Sequence, residues 1–168
     1  MKVKLFFCLF ALLCYYQGTA RSTQFICSDS TVVPVVFVMD EDTEGLLDDL
    51  YSEFDVSLLT LCGNDLNATG AKVVDLISTM EQYANEVNYN INGVKFYYNA
   101  YFNKSGSIAH FAFILRPESR NVDMNGLVAF LTAFTQKYRL VVPPKNQRRF
   151  SSLGMSAYFP FHKGKIGG

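Results

Sequence analysis

Tryptophan is missing from the chain, and histidine nearly so: among 168 residues only His110 and His162 occur. A nucleophilic serine or cysteine needs a neighbouring base, usually histidine, so few triads can be built. There is no Gly-x-Ser-x-Gly elbow, and no histidine–cysteine spacing that would hold zinc. Beyond the N-terminus, no apolar run approaches the roughly 20 residues that a spanning helix needs. Lysine and arginine are absent between Cys27 and Gly70, and no acid follows Asp123. No basic stripe interleaved with aromatics is present, which argues against a nucleic-acid partner.

What is there begins with an address. Lys2 and Lys4 precede an apolar run from Leu5 to Cys14, and Gly18-Thr19-Ala20 supplies small residues for a signal peptidase. This is the secretory pattern, so residues 1–20 are expected to be a cleaved signal peptide and the mature chain to be extracellular, with no transmembrane segment. Cys8 and Cys14 leave with the leader. Cys27 and Cys62 remain, and in an oxidising compartment they are expected to form one disulfide. Such a bridge stabilises by about 3–4 kcal/mol in the chain-entropy model. Asn67-Ala-Thr69 and Asn103-Lys-Ser105 are N-glycosylation tripeptides, and both are expected on loops.

The charges are unevenly placed. Asp40, Glu41, Asp42, Glu44, Asp48, Asp49, Glu53 and Asp55 crowd the first third, whereas Lys137, Arg139, Lys145, Arg148, Arg149, Lys163 and Lys165 fill the end. Either the basic tail folds back on the acidic element, or it takes an anionic surface ligand. Arg148-Arg149 is also a dibasic pair of the kind that proprotein proteases cut.

The strongest structural signal is Val94 to Leu115, two β-rich runs around Asn103-Lys-Ser-Gly-Ser107. The two-residue period puts Val94, Phe96, Tyr98, Ala100 and Phe102 on one face, and Ala109, Phe111, Phe113 and Leu115 on the matching face of the second strand. Ahead of the hairpin, Val32–Met39 and Asp55–Leu61 read as strands, the first starting near Pro34. A helix capped by Asp42 or Thr43 runs between them to Phe54. A longer helix capped by Thr69 is expected to reach Glu86, followed by a short strand over Val87–Ile91 and a tight turn at Asn92-Gly93. The last helix spans Met124 to Tyr138, and Met155–Phe161 offers one more strand. Strand–helix–strand units imply neighbouring parallel strands. The expected architecture is a single α/β domain over residues 21–142, a mixed β-sheet with parallel strands plus an antiparallel hairpin, flanked by three helices. Residues 143–168 form a basic C-terminal extension.

The element order across Val32–Tyr138 resembles that of the thioredoxin fold. Glu41 to Glu44 stand where that family has Cys-x-x-Cys, so the resemblance implies a redox-inert relative. The order from Asp55 through the hairpin is also similar to von Willebrand A-type domains. There, the metal-binding Asp-x-Ser-x-Ser is replaced by Leu61-Cys62-Gly63-Asn64-Asp65.

Asp40, Asp42, Glu44 and Asp48, with Gly45, follow the opening of a calcium loop, in which hard oxygen ligands alternate along a tight turn. Position twelve, where a bidentate Glu belongs, is Tyr51. A solvated acidic helix start explains the same residues. His110 sits mid-strand on the face of Ile108, Ala112 and Ile114, and reads as a packed strand histidine. The aromatic excess reads as core, with an apolar-ligand cavity as the other use. No catalytic, cofactor or metal set assembles from these residues. The expectation is therefore a secreted, N-glycosylated protein that binds an extracellular protein or an anionic ligand. The alternatives are a hydrolase whose site assembles only in the fold, and a carrier of a small apolar ligand.

Overall fold

A computed structural model describes residues 32–142 and 148–161, with the backbone alone at Leu153. The first strand, β1, is Val36–Val38. It is followed by a 3-10 turn at Glu41–Thr43 and helix α1, Glu44–Glu53. Strand β2 is Val56–Ser57, the one-turn helix α2 is Leu58–Leu61, and α3 is Leu66–Glu86. The hairpin is β3, Lys95–Phe102, and β4, Ile108–Leu115. Helix α4, Met124–Lys137, and strand β5, Phe150–Tyr158, complete the order.

These strands form one mixed five-stranded sheet in the order β1-β4-β3-β5-β2. β1 is parallel to β4 and β2 is parallel to β5, while β3 is antiparallel to both β4 and β5. The mixed sheet matches expectation, but the pairing of the first strand–helix–strand unit does not. β1 and β2 lie at opposite edges, so α1 crosses the whole sheet instead of joining neighbours. β5 is an interior strand, so the segment after Val142 contributes to the body of the domain. The described residues from Val33 onward belong to one compact unit.

Each face of the sheet has its own core. On the inner face Phe96, Tyr98, Ala100 and Phe102 of β3 meet Phe111 and Phe113 of β4. Leu76, Ile77, Met80 and Ala84 of α3 and Leu127, Phe130, Leu131 and Phe134 of α4 cover them. The rings interlock: Tyr98 lies parallel to Phe111 at 5.1 Å, and Phe102 to Phe150 at 4.8 Å. On the outer face a smaller cluster joins Phe37, Tyr101 and Ala112 to Leu50 and Phe54, the latter following α1. Ala109 belongs to this outer cluster and not, as the two-residue period implies, to the Phe111 face. The reason is a β-bulge: Tyr101 pairs with His110 but Phe102 with Ile108, which leaves Ala109 as the extra residue.

Local capping explains the other departures. Asp40 accepts from the Thr43 amide at 3.1 Å while Thr43 Oγ1 accepts from the Asp40 amide at 2.9 Å, so this reciprocal box opens the turn leading into α1. Ser57 Oγ accepts from the Thr60 amide at 3.0 Å and turns Leu58–Leu61 into a helix where a strand was expected. Asp65, not Thr69, caps α3, through the amides of Asn67 at 2.8 Å and Ala68 at 3.1 Å. At the other end Asn88 adopts φ 54°, and the Tyr89 amide reaches back to the Ala84 carbonyl at 2.8 Å. This Schellman-type ending replaces the short strand expected at Val87–Ile91. Asn92-Gly93 does form a tight turn, closed by Val94 N–H to Ile91 C=O at 3.1 Å, but it leads into β3 and joins no hairpin.

The β3–β4 turn is locked from outside. Leu140, just beyond α4, donates its N–H to the Gly106 carbonyl at 2.9 Å. Gly106 has φ 79°, and a Cβ there would lie 1.9 Å from the Leu140 carbonyl oxygen. Gly106→Ala is therefore expected to lower the unfolding free energy by about 3 kcal/mol. Gly70→Ala, inside α3 with nothing within 4 Å of its Cβ position, leaves it unchanged or raises it by a few tenths up to about 1 kcal/mol. Urea titration of both variants checks the contrast.

Burial also pushes the phenols of Tyr98 and Tyr138 up from the usual tyrosine value, and the Asp75 carboxylate adds to the rise at Tyr138. A folded-state pKa above the unfolded one means that the native chain holds its protons longer. Stability from these groups is complete below about pH 10 and falls as pH climbs beyond it. The urea midpoint is expected to drop above about pH 10, and Tyr98→Phe should flatten that drop.

Candidate functional site

Because α1 runs from the C-terminal end of β1 to the N-terminal end of β2, it lies diagonally across the outer face. The corner formed by the start of β3 and the ends of β4 and β5 is left bare. Three large side chains stand there in the open: Tyr97, Ile114 and Tyr158, exposed 43%, 44% and 41%. Tyr97 pairs directly with Ile114, and Tyr158 is carried by the residue opposite Lys95, so register alone brings the three onto one patch.

Arg116 ties this patch together. It follows β4, where its amide donates to the Lys95 carbonyl at 2.9 Å and its carbonyl accepts from Ser119 at 2.9 Å. Its guanidinium carbon sits 5.1 Å from the ring centroids of both Tyr97 and Tyr158. The guanidinium also donates to the Tyr158 hydroxyl and meets Glu118 Oε2 at 3.4 Å. Each cation–π contact at such a site contributes about 0.5–1 kcal/mol. Together the contacts fix two phenol rings that would otherwise rotate freely in water.

Two residues along β3 from Tyr97, on the same face, lies the buried amide of Asn99, 5% exposed. Here β5 carries a second bulge: Tyr98 pairs with Met155 and Ala100 with Ser152, leaving two residues of β5 against one of β3. Gly154, at φ 65°, donates its amide to Asn99 Oδ1 at 2.7 Å. Asn99 Nδ2 donates to the Tyr51 hydroxyl at 3.0 Å and so ties α1 to the sheet. The arrangement offers aromatic faces, hydroxyls and a cation, but no nucleophile beside a base. It can grip a surface.

The residues singled out from sequence are scattered. Asp40 caps the turn before α1, and Asp42, Glu44 and Asp48 are exposed. No group of three or more His, Cys, Asp or Glu gathers for a metal among the described residues. His110 is half-buried, with Nδ1 2.9 Å from the Pro34 carbonyl and its ring edge-on to Phe54 at 6.1 Å, and among the described residues it pairs with neither a serine nor a carboxylate. Cys62 is half-buried beside the inner core and meets no other cysteine among the described residues. Cys27, its expected partner, lies outside them, as do residues 1–20, expected to be a signal peptide, and Lys145, His162, Lys163 and Lys165. Asn103 lies in the hairpin turn, donating Nδ2 to Ser107 Oγ at 3.2 Å. Asn67 is exposed but sits in the first turn of α3, not on a loop, because Asp65 starts the helix earlier than expected. Of the tail cations, Arg149 pairs with Glu53 of α1 and lies over Phe54 at 5.8 Å. That contact joins the basic end to the acidic element, although a half-exposed pair contributes little to stability. No described helix is long and apolar enough to cross a membrane.

Tyr97, Arg116, Tyr158 and Asn99 are not picked out by any motif. The available signal was the alternation of β3: with Phe96 and Tyr98 inward, Tyr97 and Asn99 must face the other way. Asn99→Leu removes the acceptor of the Gly154 amide and the donor to the Tyr51 hydroxyl, both within reach of water, and is expected to lower stability by about 1 kcal/mol. Hydrogen exchange at the Gly154 amide should speed up in this variant while that of the β3–β4 ladder stays slow at equal unfolding free energy. Comparison of the chain with protein-family models, curated proteins and solved structures finds no match.

Proposed function

We propose that this is a secreted, N-glycosylated recognition protein that binds an extracellular protein partner through the bare corner of its sheet. The observation that carries the reading is the Arg116 guanidinium held between two exposed tyrosine rings. Tyrosine and arginine are the side chains most enriched at protein–protein hot spots, and rings already fixed lose little entropy on binding. The platform is a set of side chains exposed together on one face of the sheet, which suits a macromolecular surface better than a small substrate. Secretion is supported by the leader pattern of residues 1–20, and glycosylation at Asn67 and Asn103 by the two tripeptides. A bridge from Cys62 to Cys27 belongs to the same reading.

The mature glycosylated chain, immobilised, is expected to capture a specific protein from extracellular medium. Tyr97→Ser/Tyr158→Ser should weaken that binding about 30-fold or more, as loss of a hot spot worth about 2 kcal/mol does. Val87→Ser, at an exposed apolar position outside the platform, should bind as the parent does. Equal binding by all three proteins, or capture of no specific partner, rules the platform out.

A further inference from the structure

On the opposite layer of the domain, α3 and the end of α4 flank an open groove of 410 Å³, within the size range of small-ligand sites. The wall supplied by α3 bears Asp75, Tyr83 and Glu86, and the other wall bears Phe134, Lys137 and Tyr138. Tyr83 is held in place by stacking on Phe130 at 5.7 Å and by tilted contact with Phe134 at 6.0 Å. Its ring carries the Lys137 ammonium, 4.8 Å from the centroid, while Glu86 pairs with that same ammonium. An aromatic face and a carboxylate converging on one point is the chemistry by which proteins hold organic ammonium ions.

We propose that this groove is a binding site for an organic ammonium ion, and that Lys137 is its intramolecular occupant. Lys137 is suited to leaving. Its side chain is 57% exposed at the last turn of α4. An exposed ion pair of this kind contributes little, and the cation–π contact about as little, so an incoming ammonium displaces it at small cost. The remaining polar groups do not compete for the position. Asp75 accepts from the Tyr138 hydroxyl at 2.8 Å, and Arg139 donates to the carbonyls of Gln136 at 3.0 Å and Tyr138 at 2.7 Å. Tyr83 and Glu86 are therefore left to the cation. A ligand ammonium takes over both contacts, the Tyr83 ring face and the Glu86 carboxylate. The site is separate from the tyrosine platform.

The test uses the full mature chain titrated with tetramethylammonium and with butylammonium chloride at constant ionic strength. Binding is read from the aromatic resonances of Tyr83. Lys137→Met, which removes the occupant but keeps the helix, is expected to bind at least tenfold more tightly than the parent. Adding Glu86→Gln to that variant should weaken binding at least fivefold, with the core resonances of Phe96 and Phe111 unmoved in all proteins. Lys137→Gln serves as a second vacated form and should behave as Lys137→Met does. Absence of saturable shifts in both vacated forms, equal affinity in parent and vacated forms, or indifference to Glu86→Gln overturns the proposal.

Discussion

A ten-residue helix has to carry this chain from one edge of a five-stranded sheet to the other. Helix α1 rises about 15 Å, while five strands at about 4.8 Å spacing span about 19 Å. Since β1 and β2 run parallel, the link must also return from one end of the sheet to the other. It therefore crosses on a diagonal with flanking residues making up the length, and one short helix so placed cannot roof a sheet. The inner face has no such constraint. There α3 and α4, of 21 and 14 residues, cover β3 and β4 so fully that Phe96, Tyr98, Phe111 and Phe113 are all 0% exposed. The asymmetry between a sealed inner face and an open outer corner thus follows from connectivity.

An uncovered corner of a sheet is ordinarily polar, and here it is not. Arg116 explains how the exposed rings are tolerated. A guanidinium is flat and weakly hydrated, so it lies against tyrosine faces with less loss of water contact than a lysine would suffer. The rings are shielded on that side and their hydroxyls remain wet. Further along the same face Asn99 satisfies a bulge amide and a phenol on α1 with one side chain, so sheet and helix share a polar anchor. Removing the Tyr51 hydroxyl leaves the buried Asn99 amide short of a partner, so the pairing favours one arrangement of α1 on the sheet.

How much of this was legible in the sequence divides along physical lines. The hairpin was, within a residue at each end, because alternating aromatics flanking a glycine turn state the period and the strand bounds, though not the bulge that turns Ala109 to the other face. The α1, α3 and α4 segments were legible for the same reason, each having an apolar stripe. The ends of elements were not: Ser57, Asp65 and Asn88 redirect the chain through single side-chain or backbone bonds that compete with strand or cap readings of equal local merit. Strand order was hidden altogether. Val56–Ser57 is a two-residue strand whose partner, Phe150–Ser151, lies far along the chain, and no periodicity links them. The platform was hidden with it, since Arg116, Tyr97 and Tyr158 become neighbours only once β5 is known to lie beside β3.

The same strand order separates the two proposed binding surfaces. The sheet, with its continuous aromatic inner layer, stands between Tyr97 and Tyr158 on one side and the α3–α4 groove on the other. Tyr98 turns from β3 into that inner layer while Tyr97, the next residue back, turns out to solvent. A close-packed layer does transmit strain, but coupling between sites requires an element with two discrete arrangements. The interlocked rings of Phe96, Tyr98 and Phe111 present one arrangement, pinned on both edges of β3 by antiparallel ladders. The proposed groove site and the proposed platform are therefore expected to act independently, each resting on its own few side chains.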